Sequence, residues 1–234
     1  FAPAPVFSLA GGAYRSNSVT VAISAPAGTI RYTTDGSVPT DFSPAYSTPL
    51  VLSSSMRIKA RVFQTGLLPG PVVAQVYNLL ASDASTFNSN LPLIVINTHG
   101  QYIPGSGDAN RINATVTVID TFRGRTALTD GPQFQGVCQI QERGQSSAGW
   151  EKHQYNVELN DPYGNDEEVS LFGLPAESDW VLNGPYADKT LMNNFLSYEL
   201  FELMGHYSVR RRYCEVFVAD GASSPLVNYP ADYR

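Results

Sequence analysis

Long apolar runs are what this sequence most clearly lacks. No stretch approaches the roughly 20 residues that a membrane-spanning helix requires, so no span is expected. Charge is sparse as well: charged residues are 15% of 234, and acids outnumber bases 21 to 15. That balance does not provide the clustered Lys and Arg that neutralise nucleic-acid phosphates, and a nucleic-acid partner is set aside. The three histidines, His99, His153 and His206, stand too far apart for metal-ligand spacing, and two cysteines make no zinc pattern. A G-x-S-x-G nucleophile elbow is also missing. Asp179 and Asp188 could be offered as a glycosidase pair, but a loop and a helix cap give each a structural role. Hydrophobic residues are nevertheless 43% of the chain, which argues for folded material throughout.

The charge is unevenly spread. Residues 1–82 hold five bases and two acids, whereas 83–234 hold ten bases and nineteen acids. The seam falls at Ala81-Ser82-Asp83-Ala84-Ser85, whose small polar composition suits a linker, placed at 81–90. The chain begins at Phe1 without an initiator Met or a signal-like segment, so a processed or excised fragment is expected.

In the first piece, Val19 to Ile23 and Thr29 to Thr34 alternate, and Asp35-Gly36 follows at once with tight-hairpin chemistry. Further strands are read at Leu50–Leu52, Arg57–Phe63 and Val72–Tyr77, divided by Pro, Gly and Ser turns at the spacing of a small antiparallel β-sandwich. The segment Ile30 to Thr40, with Tyr46, Pro49-Leu50 and Ile58-Lys59-Ala60, resembles the chitobiase C-terminal-type module, an Ig-like accessory sandwich of secreted bacterial proteins. The resemblance implies a spacer or presentation domain over residues 1–80. Tyr32 or Tyr46 could stack on a glycan, although a strand tyrosine more often packs half-buried.

In the second piece, Leu91 to Asn97 is a continuously apolar run suited to a strand covered on both faces, and Ile112 to Asp120 alternates. A loop follows with Arg123-Gly124-Arg125. Strands at about 136–143 and 151–159 flank the turn Arg143-Gly144-Gln145-Ser146-Ser147, with Tyr155, Val157 and Leu159 on one face and Lys152 on the other. Asp188 is a good N-cap, and its helix should run to Met204 and stop at Gly205. On that helix Met192, Phe195, Leu196 and Leu203 form a stripe with Glu199 in its middle, so a cation or strong donors should meet the carboxylate unless the stripe lies at the sheet edge and Glu199 reaches water. Arg210-Arg211-Arg212 reads as a solvated entry to a central closing strand, Arg212–Ala219. Cys138 and Cys214 lie in alternating apolar runs, compatible with a bridge or with two buried free thiols.

From about Leu91 to Val218 these segments arrive in the order found in the CotH (spore-coat protein H) family of atypical, kinase-like proteins, which the sequence resembles. The implied fold is α+β, an N-terminal sandwich followed over 91–234 by the sheet-plus-helix N-terminal part of a protein-kinase-like fold. The implied function is a secreted or cell-surface kinase transferring phosphate from ATP, with Mg²⁺, to Ser or Thr of exported or coat proteins. A non-catalytic extracellular surface, coat or adhesion scaffold is the alternative. The resemblance assigns nucleotide binding to Arg143, Gly144, Ser146, Ser147, Lys152 and Glu199, with Glu199 paired to Lys152 or, failing that, to Arg143. Asn193 stands where the family commonly has arginine. Catalytic and metal-binding carboxylates are expected beyond Arg234, which leaves this stretch inactive by itself.

Overall fold

The computed structural model describes residues 1–108, 110–121, 124–221 and 226–234; Arg123 of the Arg123-Gly124-Arg125 loop lies outside them. Strands take up 37% of the chain and helix 7%, so the architecture is mostly β with one α-helix among the described residues.

The first piece contains β1 (Val6–Phe7), β2 (Gly12–Tyr14), β3 (Val19–Val21), β4 (Ile23–Ser24), β5 (Thr29–Thr33), β6 (Leu50–Leu52), β7 (Met56–Phe63) and β8 (Val73–Leu79). A four-stranded sheet runs β2-β8-β7-β5 and faces the two small sheets β3-β6 and β1-β4. Alternation places Ile58, Ala60 and Tyr77 of the large sheet against Val21, Ile23 and Leu52 of the small ones, and these six close the core. The sandwich is not wholly antiparallel, because β2 joins β8 in parallel. Asp35-Gly36 does form a turn, with Gly36 at φ 90° and the Asp35 carboxylate accepting from the Ser37 N–H at 2.9 Å. It does not close a two-residue hairpin: Tyr32 instead donates to the Pro44 carbonyl and Tyr46 to that of Ile30, across a wider loop. Tyr32 and Tyr46 pack edge to face, with centroids 6.4 Å apart, the half-buried role common for strand tyrosines.

The second piece adds β9 (Asn88–Ser89), β10 (Leu93–Asn97), β11 (Ile112–Ile119), β12 (Thr126–Ala127), β13 (Phe134–Arg143), β14 (Gln154–Asn160), β15 (Asp179–Leu182), the helix α1 (Asn193–Leu203) and β16 (Glu215–Ala219). Six of these strands form one sheet in the order β15-β14-β13-β11-β10-β16. All five residues of β10 are buried, as its continuous apolar run requires. On one face Ile94, Ile96, Val116, Ile140 and Val157 gather with Leu171 and Phe172. On the other, Leu93, Val95, Ile119 and Phe217 gather with Leu80, Ala84 and Val227. Strand β16 is therefore not central. It pairs with β10 alone among the named strands, and a single bridge from Phe217 to Tyr233 covers its outer side.

The stretch expected as a linker is packed. Leu80 is 2% exposed and Ala84 is fully buried, in a short 3-10 turn capped by the Asp83 carboxylate. The first piece also lies against the second through polar contacts. Asn78 donates to the Thr117 hydroxyl at 2.9 Å, Lys59 Nζ to the Pro162 carbonyl at 2.7 Å, and the Val72 N–H to the Tyr163 hydroxyl at 3.0 Å. Arg57 and Lys59 are 3% and 4% exposed, and burial holds both below their ordinary basic range. The two cysteines are unbridged, Cys138 buried and Cys214 half-buried.

Leu80 sits where the two pieces share one apolar cluster. Leu80→Ala removes that side chain and leaves a cavity, so it should cost about 2–5 kcal/mol, read as a lower denaturation midpoint in urea. A loss below about 1 kcal/mol would mean that this stretch behaves as a free linker.

Candidate functional site

Strands β13 and β14 are antiparallel, with Arg143 opposite Gln154 and Glu142 opposite Tyr155. Everything between Arg143 and Gln154 is therefore the turn that closes this hairpin. Gly144 opens it at φ 107°, where a side chain is strained, and an added Cβ would come within 2.1 Å of the Ser147 hydroxyl. A single 3-10 turn, Ser147–Gly149, follows. Beside the turn lies an open depression of about 520 Å³ lined by Ser106, Gly107, Glu142, Arg143, Gly144 and Gln145, among others. Its far wall is fixed to β13, because Glu142 donates its backbone N–H to the Pro104 carbonyl at 3.0 Å and the Gln141 amide reaches the Gly105 carbonyl at 3.2 Å.

Arg143 and Lys152 stand at the two ends of this turn. Lys152 is not on a strand, since β14 begins at Gln154. It lies against Gly184, where an added Cβ would meet the Lys152 side chain at 3.0 Å. It also faces Cys214, whose thiol burial pushes up to about 11 while the lysine charge acts in the opposite sense. Among the described residues neither Arg143 nor Lys152 forms an ion pair or a side-chain hydrogen bond, in contrast to Arg111, Arg211 and Arg234, which all face carboxylates. Flanking the two cations in the chain, His153 and Glu142 approach each other, with His153 Nδ1 3.1 Å from Glu142 Oε1. Further round, Trp150 and Tyr186 are 6.1 Å apart, and Lys189 Nζ caps the Tyr186 ring at 4.2 Å. Of the residues read as binding nucleotide, Arg143 and Gly144 line the depression, whereas Ser146, Ser147 and Lys152 do not; the arginine and the backbone N–H groups beside it can meet an anion there.

Helix α1 departs from expectation. It starts at Asn193, five residues after Asp188, yet Asp188 still serves its N-terminus by accepting from the Asn193 N–H at 2.7 Å. Its bonds to Thr190 and to this N–H hold the Asp188 carboxyl below its ordinary range. The helix ends as expected, with Gly205 left-handed at φ 86°. No residue of α1 is buried. Glu199 accordingly meets neither Lys152 nor Arg143. It pairs with Arg211 Nη2 at 2.5 Å, with half of the Glu199 side chain exposed. Arg211 lies over Phe195 at 4.5 Å and Tyr198 at 5.7 Å, and Glu202 is 3.9 Å away. The apolar stripe predicted to face the sheet points instead into solvent, with Leu196 46% and Leu203 75% exposed. Of the basic triplet expected to be solvated, Arg211 is thus committed to the helix. Glu199 and Glu202, three residues apart on one helical face, were the signal for it.

Residues 140–226 match the model of the CotH kinase protein family. The matched CotH segment holds Arg143, Gly144, Ser146, Ser147 and Lys152 around one turn, and Glu199 on the separate helix. Residues 9–74 match the model of the chitobiase/beta-hexosaminidase C-terminal domain, so the two modules come in the order read from the residues. No curated protein and no solved structure matches the chain significantly.

Because the Glu199 side chain is half exposed while Arg211 is 16% exposed, solvent screens the carboxylate, and Glu199→Ala should cost less than about 1 kcal/mol in urea unfolding. A cost near 3 kcal/mol would instead mark a buried partner left uncompensated.

Proposed function

We propose that the second piece is the phosphate-binding lobe of a secreted CotH-like protein kinase, which transfers phosphate from ATP to Ser or Thr of exported or coat proteins. The supporting observation is the pair of unpaired cations, Arg143 and Lys152, at the two ends of a glycine-opened turn inside the segment matching the CotH kinase model. In this reading the turn's N–H groups cradle the phosphates, the Arg143 fork grips equatorial oxygens, and Lys152 offsets the charge that develops there. Ser106 and Gly107 form the opposite lining of the depression.

Magnesium, when bound, would offset phosphate charge, and it takes oxygen ligands from carboxylates or water. Among the described residues no group of three His, Cys, Asp or Glu could hold a metal ion. The accessory sandwich is read as a presentation domain.

One observation favours a second reading, a non-catalytic surface or coat scaffold. Glu199 is held by Arg211 and α1 stands off the sheet, so the lysine and glutamate pair of kinase-like lobes is not assembled. Asn193 in place of arginine points the same way.

A melting experiment on the full-length protein separates the two. ATP with Mg²⁺ should raise its melting temperature, by an amount equivalent to about 2.7 kcal/mol at one hundred times Kd. Arg143→Ala and Lys152→Ala should each abolish the shift. A nucleotide-insensitive melting temperature would favour the scaffold, and an intact shift in Lys152→Ala would remove that residue from the site.

A further inference from the structure

Residues 1–82 hold five bases, and four of them, Arg31, Arg57, Lys59 and Arg61, stand on one face of the large sandwich sheet. On β7 the side chains of Ile58 and Ala60 enter the sandwich core, so Arg57, Lys59 and Arg61 project from the opposite face. Arg31 on β5 is directly across from Arg61, and its neighbours Ile30 and Tyr32 turn to the core, which puts Arg31 on that same outer face. Like charges opposed across two strands are destabilising unless something offsets them. Arg57 and Lys59 are 3% and 4% exposed, whereas Arg31 and Arg61 are half-buried, so the row opens to solvent at the Arg31 and Arg61 end.

Each of the four is held by a main-chain carbonyl rather than by an acid. Arg31 Nη1 donates to the Ser43 carbonyl at 2.9 Å, Arg57 Nη2 to that of Asp35 at 2.5 Å, Lys59 Nζ to that of Pro162 at 2.7 Å and Arg61 Nε to that of Gly70 at 2.7 Å. Among the described residues none of them forms an ion pair with a carboxylate. The acids whose charge reaches the row are engaged elsewhere: Asp35 accepts from the Ser37 N–H and hydroxyl, and Asp161 from the N–H groups of Tyr163 and Asn165. The Nε atoms of Arg31 and Arg57 are buried without a hydrogen-bond partner. Arg61 lies over the Phe63 ring at 5.7 Å and the Tyr163 ring at 5.9 Å, and its Nη groups carry no hydrogen bond among the described residues. Carbonyl bonds and ring contacts fix where these cations stand but leave their charge without a counter-charge, which is costly where water is excluded.

We propose that this basic face is a docking site for a phosphorylated serine or threonine side chain of an exported protein, a group that the kinase reading above, on which this rests, makes the reaction's product. Arg31 and Arg61 grip the phosphate oxygens, and Lys59, next on the same face of β7, adds charge behind them. Guanidinium forks meet phosphate oxygens in pairs, and the dianion offsets the like charges that the two strands set opposite each other. Because carbonyls already anchor these side chains, little of their freedom is lost on binding.

Fluorescence anisotropy of the intact chain with a short dye-labelled peptide carrying one phosphoserine tests this. The unphosphorylated peptide should bind at least about tenfold more weakly, and Arg31→Gln and Arg61→Gln should each weaken the phosphopeptide by about tenfold, the loss expected for one charged hydrogen-bond donor. Equal binding of the two peptides would overturn the proposal, as would unchanged affinity in both variants or tighter binding of a sulfated disaccharide than of the phosphopeptide. Should the glutamine variants not fold, the NMR signals of the Arg31 and Arg61 side-chain N–H groups in the unsubstituted chain decide: they should shift when the phosphopeptide is added, and signals that stay in place overturn the site. The melting response to ATP with Mg²⁺, which reads Arg143 and Lys152 in the full-length protein, should persist in Arg31→Gln and Arg61→Gln. Phosphopeptide binding without any ATP response would support the site while withdrawing the kinase reading, so the two failures are told apart.

Discussion

The burial of β10 on both faces is the constraint on which the rest depends. Its even-numbered residues, Ile94 and Ile96, enter the cluster shared with β11, β13 and β14, while Leu93 and Val95 enter the one closed by Leu80 and Val227. Each such side chain contributes on the order of 1.5–3 kcal/mol when withdrawn from water. Strand β16, paired beside it, likewise sends Val218 into the first cluster and Phe217 and Ala219 into the second. The hairpin β13 and β14 is registered from β11, which is registered from β10. The Gly/Ser turn projects from the end of that hairpin, so its placement is inherited from apolar packing well away from it.

That dependence also separates what the sequence made legible from what it did not. The run Leu91 to Asn97, the hairpin around residues 143–154 and most sandwich strands were readable because each rests on local periodicity and turn chemistry. The partner of Glu199 was not. A helical repeat shows that a stripe is apolar but not what it meets, and the choice between Lys152 and Arg211 depends on where the helix lies. The same limit explains β16: its alternation suits a central strand, yet its edge position is set by β10 and by the Tyr233 bridge. The supposed linker misled by composition, since small polar residues also suit a capped 3-10 turn with Ala84 pressed into a core.

At the candidate site, the part that could be read was the part built from consecutive residues. Gly144 and Ser147 are close because the chain turns there, and the cations fall at the turn's ends. The loop of Ser106 and Gly107 that completes the depression is brought in through hydrogen bonds to Gln141 and Glu142, and no spacing in the sequence announces it.

Helix α1 has a thermodynamic consequence. Eleven residues are too few for a helix to stand alone in water, where nucleation outweighs the gain from propagation. What holds it here is peripheral: the Asp188 carboxylate at one end, the Arg211 guanidinium on one flank, and the Tyr213 hydroxyl donating to the Leu191 carbonyl at 2.8 Å. None of these is a core contact, so the helix can be shifted or rotated with little loss of packing. Leu196, Leu200 and Leu203 on it remain exposed. Phe195, stacked on Tyr213 with centroids 5.2 Å apart, is an apolar side chain of α1 that does find a partner.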